Sequence, residues 1–334
     1  MTLTGRNEEQ AVLAQLRRSG TAIFDVGSRW LVATWGDGEP IHHGPDWMTR
    51  ARESVQTQGD PRVPFCGGLV GWLGYEVGSD FERMPCPRGP RPIPDLCLWR
   101  VDGALCLDRL SGRWHCVGTE AFQAEGQSIL ERAQDPTQTG ATNNRDLRAP
   151  DLAQASRPLE RERYEAGVRT CLEAIGRGDV YQVNLSWQER GPTISDPLQT
   201  WLDLRQSNPS ERSAYLRMGP IEILSNSPEL FVEVEAGAED LHVTSTPIKG
   251  TLPAEEDPSI LLDSTKERAE LTMITDLVRN DLGRIAQPGS IHADSRQIRR
   301  CGDLWHAEQR VQARVARGRD SFDVVAACFP PGSV

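Results

Sequence analysis

The 334-residue sequence predicts an α+β protein. Two patterns point that way. The first third alternates short apolar runs with glycine, as strands joined by tight turns do. Further along, apolar residues recur at helical spacing and flank a pair of strand-like runs around a polar loop. With 38% apolar residues the chain can build a core for one large body or two ordinary domains.

The early strands are expected at residues 22–25, 30–35 and 65–75, then at 96–101, 104–108 and 114–117. Asp-Gly and Ser-Gly turns separate the last three, so this stretch reads as an antiparallel meander. The glycines of 67–74 lack the Gly-Lys-Ser/Thr ending of a phosphate loop, and a strand crowded against another backbone explains them. Residues 134–158 turn polar and lack aromatic residues, which marks a connecting segment. The expected organisation is therefore a mainly β region over 1–133, that connector, and a second region over 159–334.

The second region opens with a helix over 160–177, stopped by Gly176-Arg-Gly-Asp179. A strand over 180–187 and a helix over 198–206 follow. Residues 230–234 and 241–244 read as a hairpin turning near Ala238, and antiparallel pairing then sets residue 229 opposite 247 and 227 opposite 249. Glu229 and Lys249 emerge at the same end of that hairpin, either as an acid and an amine around one small ligand or as a surface ion pair. A helix over 265–282 carries the stripe Leu271, Ile274, Leu277 and Val278. On it Glu267 and Glu270 share a face, as a helix start favours, and Lys266 pairs with Glu270 four residues on.

Composition excludes several classes. The 37 basic and 48 acidic side chains leave a net charge of −11, which repels phosphate backbones and anionic membranes. Neither nucleic acid nor membrane is an expected partner. The eight cysteines form no Cys-x-x-Cys pair and nothing near Met1 resembles a signal peptide, so reduced thiols and a cytoplasmic location are expected. Only two of the basic residues, Lys249 and Lys266, are lysines. Arginine keeps its proton, whereas a desolvated lysine can become a base or nucleophile. Lys249 is the residue to explain. Seven arginines between Arg296 and Arg319 read as a solvated face or a docking surface.

Several motifs occur in a fixed order: Ser227-Pro-Glu-Leu-Phe231, Thr246-Pro-Ile-Lys-Gly-Thr251, Lys266-Glu-Arg-Ala-Glu270 and Asp276-Leu-Val-Arg-Asn-Asp-Leu-Gly-Arg284. With Gly178–Ser186, the glycine-rich 67–75 stretch and Phe329-Pro-Pro-Gly332, they make the chain resemble the chorismate-utilising enzymes. That family includes component I of aminodeoxychorismate synthase and of anthranilate synthase. The resemblance implies two packed, largely antiparallel sheets with helices outside. It also implies that the family pattern continues past Val334, through an arginine that grips a substrate carboxylate and a late glutamate for Mg²⁺. On that basis the chain alone is expected to have little activity unless a second chain supplies the rest.

In this family the residue before Gly-Thr separates chemistries, and Lys249 implies the aminodeoxychorismate type. Its amine would attack C2 of chorismate, and Glu229 would protonate the departing C4 hydroxyl. The resemblance assigns Gly250, Thr251 and His306 to substrate binding, and Glu267 and Glu270 to Mg²⁺. His306 is followed by Ala-Glu-Gln where the family has a Leu-Val-Ser-like run. No glutaminase nucleophile loop is present, so a glutamine amidotransferase partner is implied as the ammonia source for p-aminobenzoate and folate synthesis. The rival readings are anthranilate synthase component I and a non-catalytic remnant.

Overall fold

The computed structural model describes residues 5–55, 59–84, 91–134, 161–186, 191–237 and 239–332. In chain order the first part contains α1 (Gly5–Leu13), β1 (Thr21–Val26), β2 (Trp30–Trp35), β3 (Ile41–His42), α2 (Trp47–Ser54), β4 (Gly68–Leu73), β5 (Leu96–Val101), β6 (Gly103–Asp108), β7 (Arg113–Gly118) and α3 (Glu120–Gln134). Then come α4 (Arg161–Arg177), α5 (Pro197–Ser207), β8 (Ser213–Met218), β9 (Ile221–Asn226), β10 (Leu230–Ala236), β11 (Leu241–Thr246) and β12 (Ile248–Pro253). The last are α6 (Ser259–Asp263), α7 (Thr265–Gly283), β13 (His292–Ala293), β14 (Gln297–Cys301), β15 (Leu304–Glu308), β16 (Val311–Arg314) and α8 (Ser321–Cys328).

The strands form four sheets rather than the two expected, with orders β7-β6-β2-β1-β8-β9, β10-β11-β16-β13, β12-β15-β14 and β3-β5-β4. Every pairing is antiparallel. The α+β class stands, but the early strands are not one meander. β5 leaves its sequence neighbour β6 to pair with β3 and β4, and β8 fills the place beside β1. Strand alternation explains the layering. Ile23 and Tyr215 face a cluster with Leu13, Phe122 and Trp201 from α1, α3 and α5, while Ala22 and Leu216 face Val70 and Trp99 of the small sheet. Gly71 shows why that sheet needs glycine: at φ +152°, a Cβ would lie 1.9 Å from the Cys97 carbonyl oxygen.

The first sheet thus joins strands from both sides of the 134–158 connector, whose residues from 135 on lie outside the described ones. Helices α5 and α7 begin at side-chain caps, Asp196 and Ser264, and α5 carries proline in its first turn. Helix α4 matches its expected span, yet none of its residues is buried. The strand expected at 180–187 is corrected: residues 182–186 hold no regular structure, Tyr181 is 83% exposed, and Trp187 lies outside the described residues. Its apolar pattern suits a strand, but among the described residues no edge pairs with it.

Candidate active site around strand β12

Strands β10 and β11 pair from Leu230↔Thr246 to Ala236↔Leu241, with a bulge between Leu230 and Glu233. That register sets Glu229 level with Pro247, as the hairpin arithmetic expects. The carboxylate then caps the next residue, Glu229 Oε1 accepting the Ile248 amide at 3.2 Å. Three contacts pin the turn that carries it. Ser227 Oγ accepts the Glu229 amide at 3.2 Å, Ser210 Oγ donates to the Ser227 carbonyl at 2.5 Å, and Arg299 Nη2 donates to the Pro228 carbonyl at 2.7 Å.

Lys249 follows at once, half-buried on β12. Its strand pairs with β15 as Ile248↔Glu308 and Lys249↔Ala307, then skips Gly250 to reach Thr251↔His306. Gly250 is the extra residue of that bulge, at φ +84°. A Cβ on it would lie 3.0 Å from Glu267 Oε2 and 3.1 Å from Leu261 Cδ2. Glycine is required twice over, for backbone conformation and for the approach of the α7 carboxylate. The bulge sets Lys249, the Gly250 backbone and Thr251 in one short stretch beside Glu267.

His306 lies buried behind it, with Nδ1 3.2 Å from Thr251 Oγ1. Burial pushes the His306 pKa below its ordinary value and the Arg299 charge pushes it further, against a hydrogen bond with the Gly250 backbone and the Glu308 charge. A neutral imidazole at neutral pH is the consequence. The run after it is accommodated residue by residue. Ala307 is buried against Leu261 and Leu271, Glu308 Oε2 accepts Arg299 Nε at 2.6 Å, and Gln309 bonds Thr275 Oγ1 and the Asp294 carbonyl.

On α7, the Ser264 cap accepts the Glu267 amide at 3.2 Å, and Lys266 Nζ lies 3.2 Å from both Glu267 Oε1 and Glu270 Oε1. The two carboxylates already share one cation. Among the described residues no group of three or more His, Cys, Asp or Glu side chains forms a metal cage. Two hard oxygen donors with the other positions left to water or substrate nevertheless suit Mg²⁺. Asp276 and Asp281 are engaged structurally, by Arg279 and Arg284 at 2.9 Å each. Arg284 also reaches Glu82 at 2.8 Å and the Ala327 carbonyl.

The structure therefore brings Glu229, Lys249, Gly250, Thr251, His306 and Glu267 around one strand, with Glu270 joined through Lys266. The arrangement offers an amine, an acid, a neutral imidazole beside a hydroxyl, and two carboxylates that share one lysine. In the arginine run Arg300, Arg310, Arg314, Arg317 and Arg319 are exposed, as a solvated face expects, whereas Arg299 is partly buried against Glu308 and Pro228. The β14–β15 register pairs Arg299 with His306.

A family model described as chorismate binding enzyme matches residues 18–334. Anthranilate synthase component 1 1 of Haloarcula marismortui is 30% identical over 299 residues, covering 83% of this chain and 60% of that protein. Aminodeoxychorismate synthase component 1 of Salmonella typhimurium is 33% identical over 287 residues, again covering 83% and 60%. The chain thus spans about 60% of the length of these curated relatives. The crystal structure of anthranilate synthase component I from Streptococcus pneumoniae superposes with a TM-score of 0.71 at 24% identity, over 95% of this chain and 72% of that one.

Proposed function

Because the chain belongs to the chorismate-binding enzyme family, we propose that it is an aminating component I, converting chorismate and ammonia to 4-amino-4-deoxychorismate. The observation that carries this reading is Lys249 in the Pro-Ile-Lys-Gly-Thr motif, set at the Gly250 bulge next to the residue that Glu229 caps. In the first step the Lys249 amine attacks C2, the ring π electrons shift, and the C4 hydroxyl leaves as water with a proton from Glu229. Ammonia then adds at C4 and displaces the lysine from C2. A covalent amine divides one hard displacement into two easier ones.

Thr251 and His306 would orient the substrate, the imidazole fixing the hydroxyl it touches. Glu267 and Glu270 would hold Mg²⁺, which when bound would neutralise a substrate carboxylate. A glutamine amidotransferase would supply ammonia, in a cytoplasmic route to p-aminobenzoate and folate. No helix among the described residues is long and apolar enough to cross a membrane.

The test incubates the chain, complemented by the remaining segment of a curated relative, with chorismate, ammonium and Mg²⁺ and analyses products by mass. Aminodeoxychorismate is expected, lost in Lys249→Ala and reduced about a hundredfold or more in Glu229→Gln, the range for a missing general acid. Relatives named anthranilate synthase match as well as those named aminodeoxychorismate synthase, which keeps a second reading in view. Fluorescent anthranilate as the product would establish it and refute the first.

A further inference from the structure

We propose that Arg299 is a positioning residue: by bridging the Pro228 carbonyl to Glu308, it holds the Glu229 carboxylate on the Ile248 amide, beside Lys249. The inference rests on the roles given above to Glu229 and Lys249. Its basis is the pattern of contacts. The Arg299 guanidinium spans 71 residues of sequence to reach Pro228 at 2.7 Å and nine to reach Glu308 at 2.6 Å. Glu211 lies 3.9 Å from its Nη1. Glu308 in turn sits opposite Ile248 across the β12–β15 pairing, so both ends of the Glu229 hydrogen bond are tied to one guanidinium.

The fork geometry matters here. A planar guanidinium can serve a carboxylate and a carbonyl at fixed angles, whereas an ammonium is a point charge on a flexible stem. Without the bridge, the contacts of Ser210 and Ser227 are left to hold the 227–229 turn against the motion of Glu229. The carboxylate would then sample several rotamers instead of one.

The experiment measures amide hydrogen exchange at Ile248 in the full 334-residue chain. Arg299→Gln/Glu308→Gln removes both charges together, so no acid is left buried and unpaired, and Arg299→Lys is the conservative control. Exchange at Ile248 is expected to quicken at least tenfold in the double variant, with Val243 in β11 within twofold of wild type, and Arg299→Lys is expected to fall between. The rate of Lys249 adduct formation at saturating chorismate is expected to drop at least tenfold in the double variant, with the half-saturating concentration within threefold. Unchanged exchange at Ile248, an equal change at Val243, or an unaltered adduct rate each overturns the proposal. A Lys249→Ala variant that still aminates chorismate would instead overturn the functional reading and leave the exchange result standing.

Discussion

At Gly250 the backbone holds φ +84° and the α7 carboxylate of Glu267 occupies the space a side chain would need. Gly250→Ala is therefore expected to cost about 1–3 kcal/mol, from left-handed strain and displacement of Glu267. Urea denaturation measures it, and a loss below about 0.5 kcal/mol would show that the bulge relaxes freely. His306 gives a pH signature. Its folded pKa lies below the ordinary 6.5, so its contribution to stability is present above 6.5 and is lost as pH falls from there through the lowered value. Urea midpoints at pH 7.5, 6.5 and 5.5 should decline more steeply in the wild type than in His306→Gln; equal slopes would contradict a buried neutral imidazole. The placement of Lys249 beside the Glu229 end of the hairpin was legible in the sequence because rarity, hairpin arithmetic and motif coincide at Lys249, whereas Thr251 was read from the motif alone. Arg299 was not, because it is one arginine among seven and its partner Pro228 is distant in sequence.

Among the elements, α7 shows how local spacing reaches the site. Lys266 holds Glu267 and Glu270 by helix geometry alone. Lys266→Ala is expected to free both carboxylates and tighten Mg²⁺ binding severalfold, measured by calorimetry on the unliganded chain; weaker binding would mean that the lysine organises the pair rather than competing with the ion. In the first sheet, β1 depends on a buried network. Asp25, almost fully buried, receives Arg205 at 2.5 Å and also Arg109, while Arg205 reaches Glu9 on α1 at 2.5 Å. Asp25→Ala leaves two guanidiniums without their shared acceptor and should cost about 3–5 kcal/mol in urea denaturation; a loss under about 1 kcal/mol would show that solvent replaces it. Helix α4 was legible from its apolar spacing and its glycine stop, whereas the Asp196 and Ser264 caps of α5 and α7 emerged only with the structure. Sheet partners were not: β1 pairs with β8, whose Tyr215 opposes Ile23, and nothing in either strand names the other.

Across the whole molecule, early and late segments share cores. Trp47 and Leu98 pack with Phe329, and Arg52 of α2 binds Asp320 and Asp323 at the start of α8 at 2.8 and 2.9 Å. One cooperative transition is expected, with tryptophan fluorescence and circular dichroism coinciding in urea; two separated midpoints would indicate independent domains. The chain spans about 60% of its curated relatives, yet the turn bearing Glu229, the strands bearing Lys249 and His306 and the helix bearing Glu267 and Glu270 are all present. In the proposed first step Lys249 and Glu229 act directly on chorismate, so that step tests the central claim most directly. The measurement is intact-protein and peptide mass spectrometry after incubation with chorismate and Mg²⁺ and without ammonia. The expected result is one adduct, chorismate less water, mapped to Lys249 and absent from Lys249→Ala. No adduct on Lys249 while the chain still turns chorismate over with ammonia would contradict it.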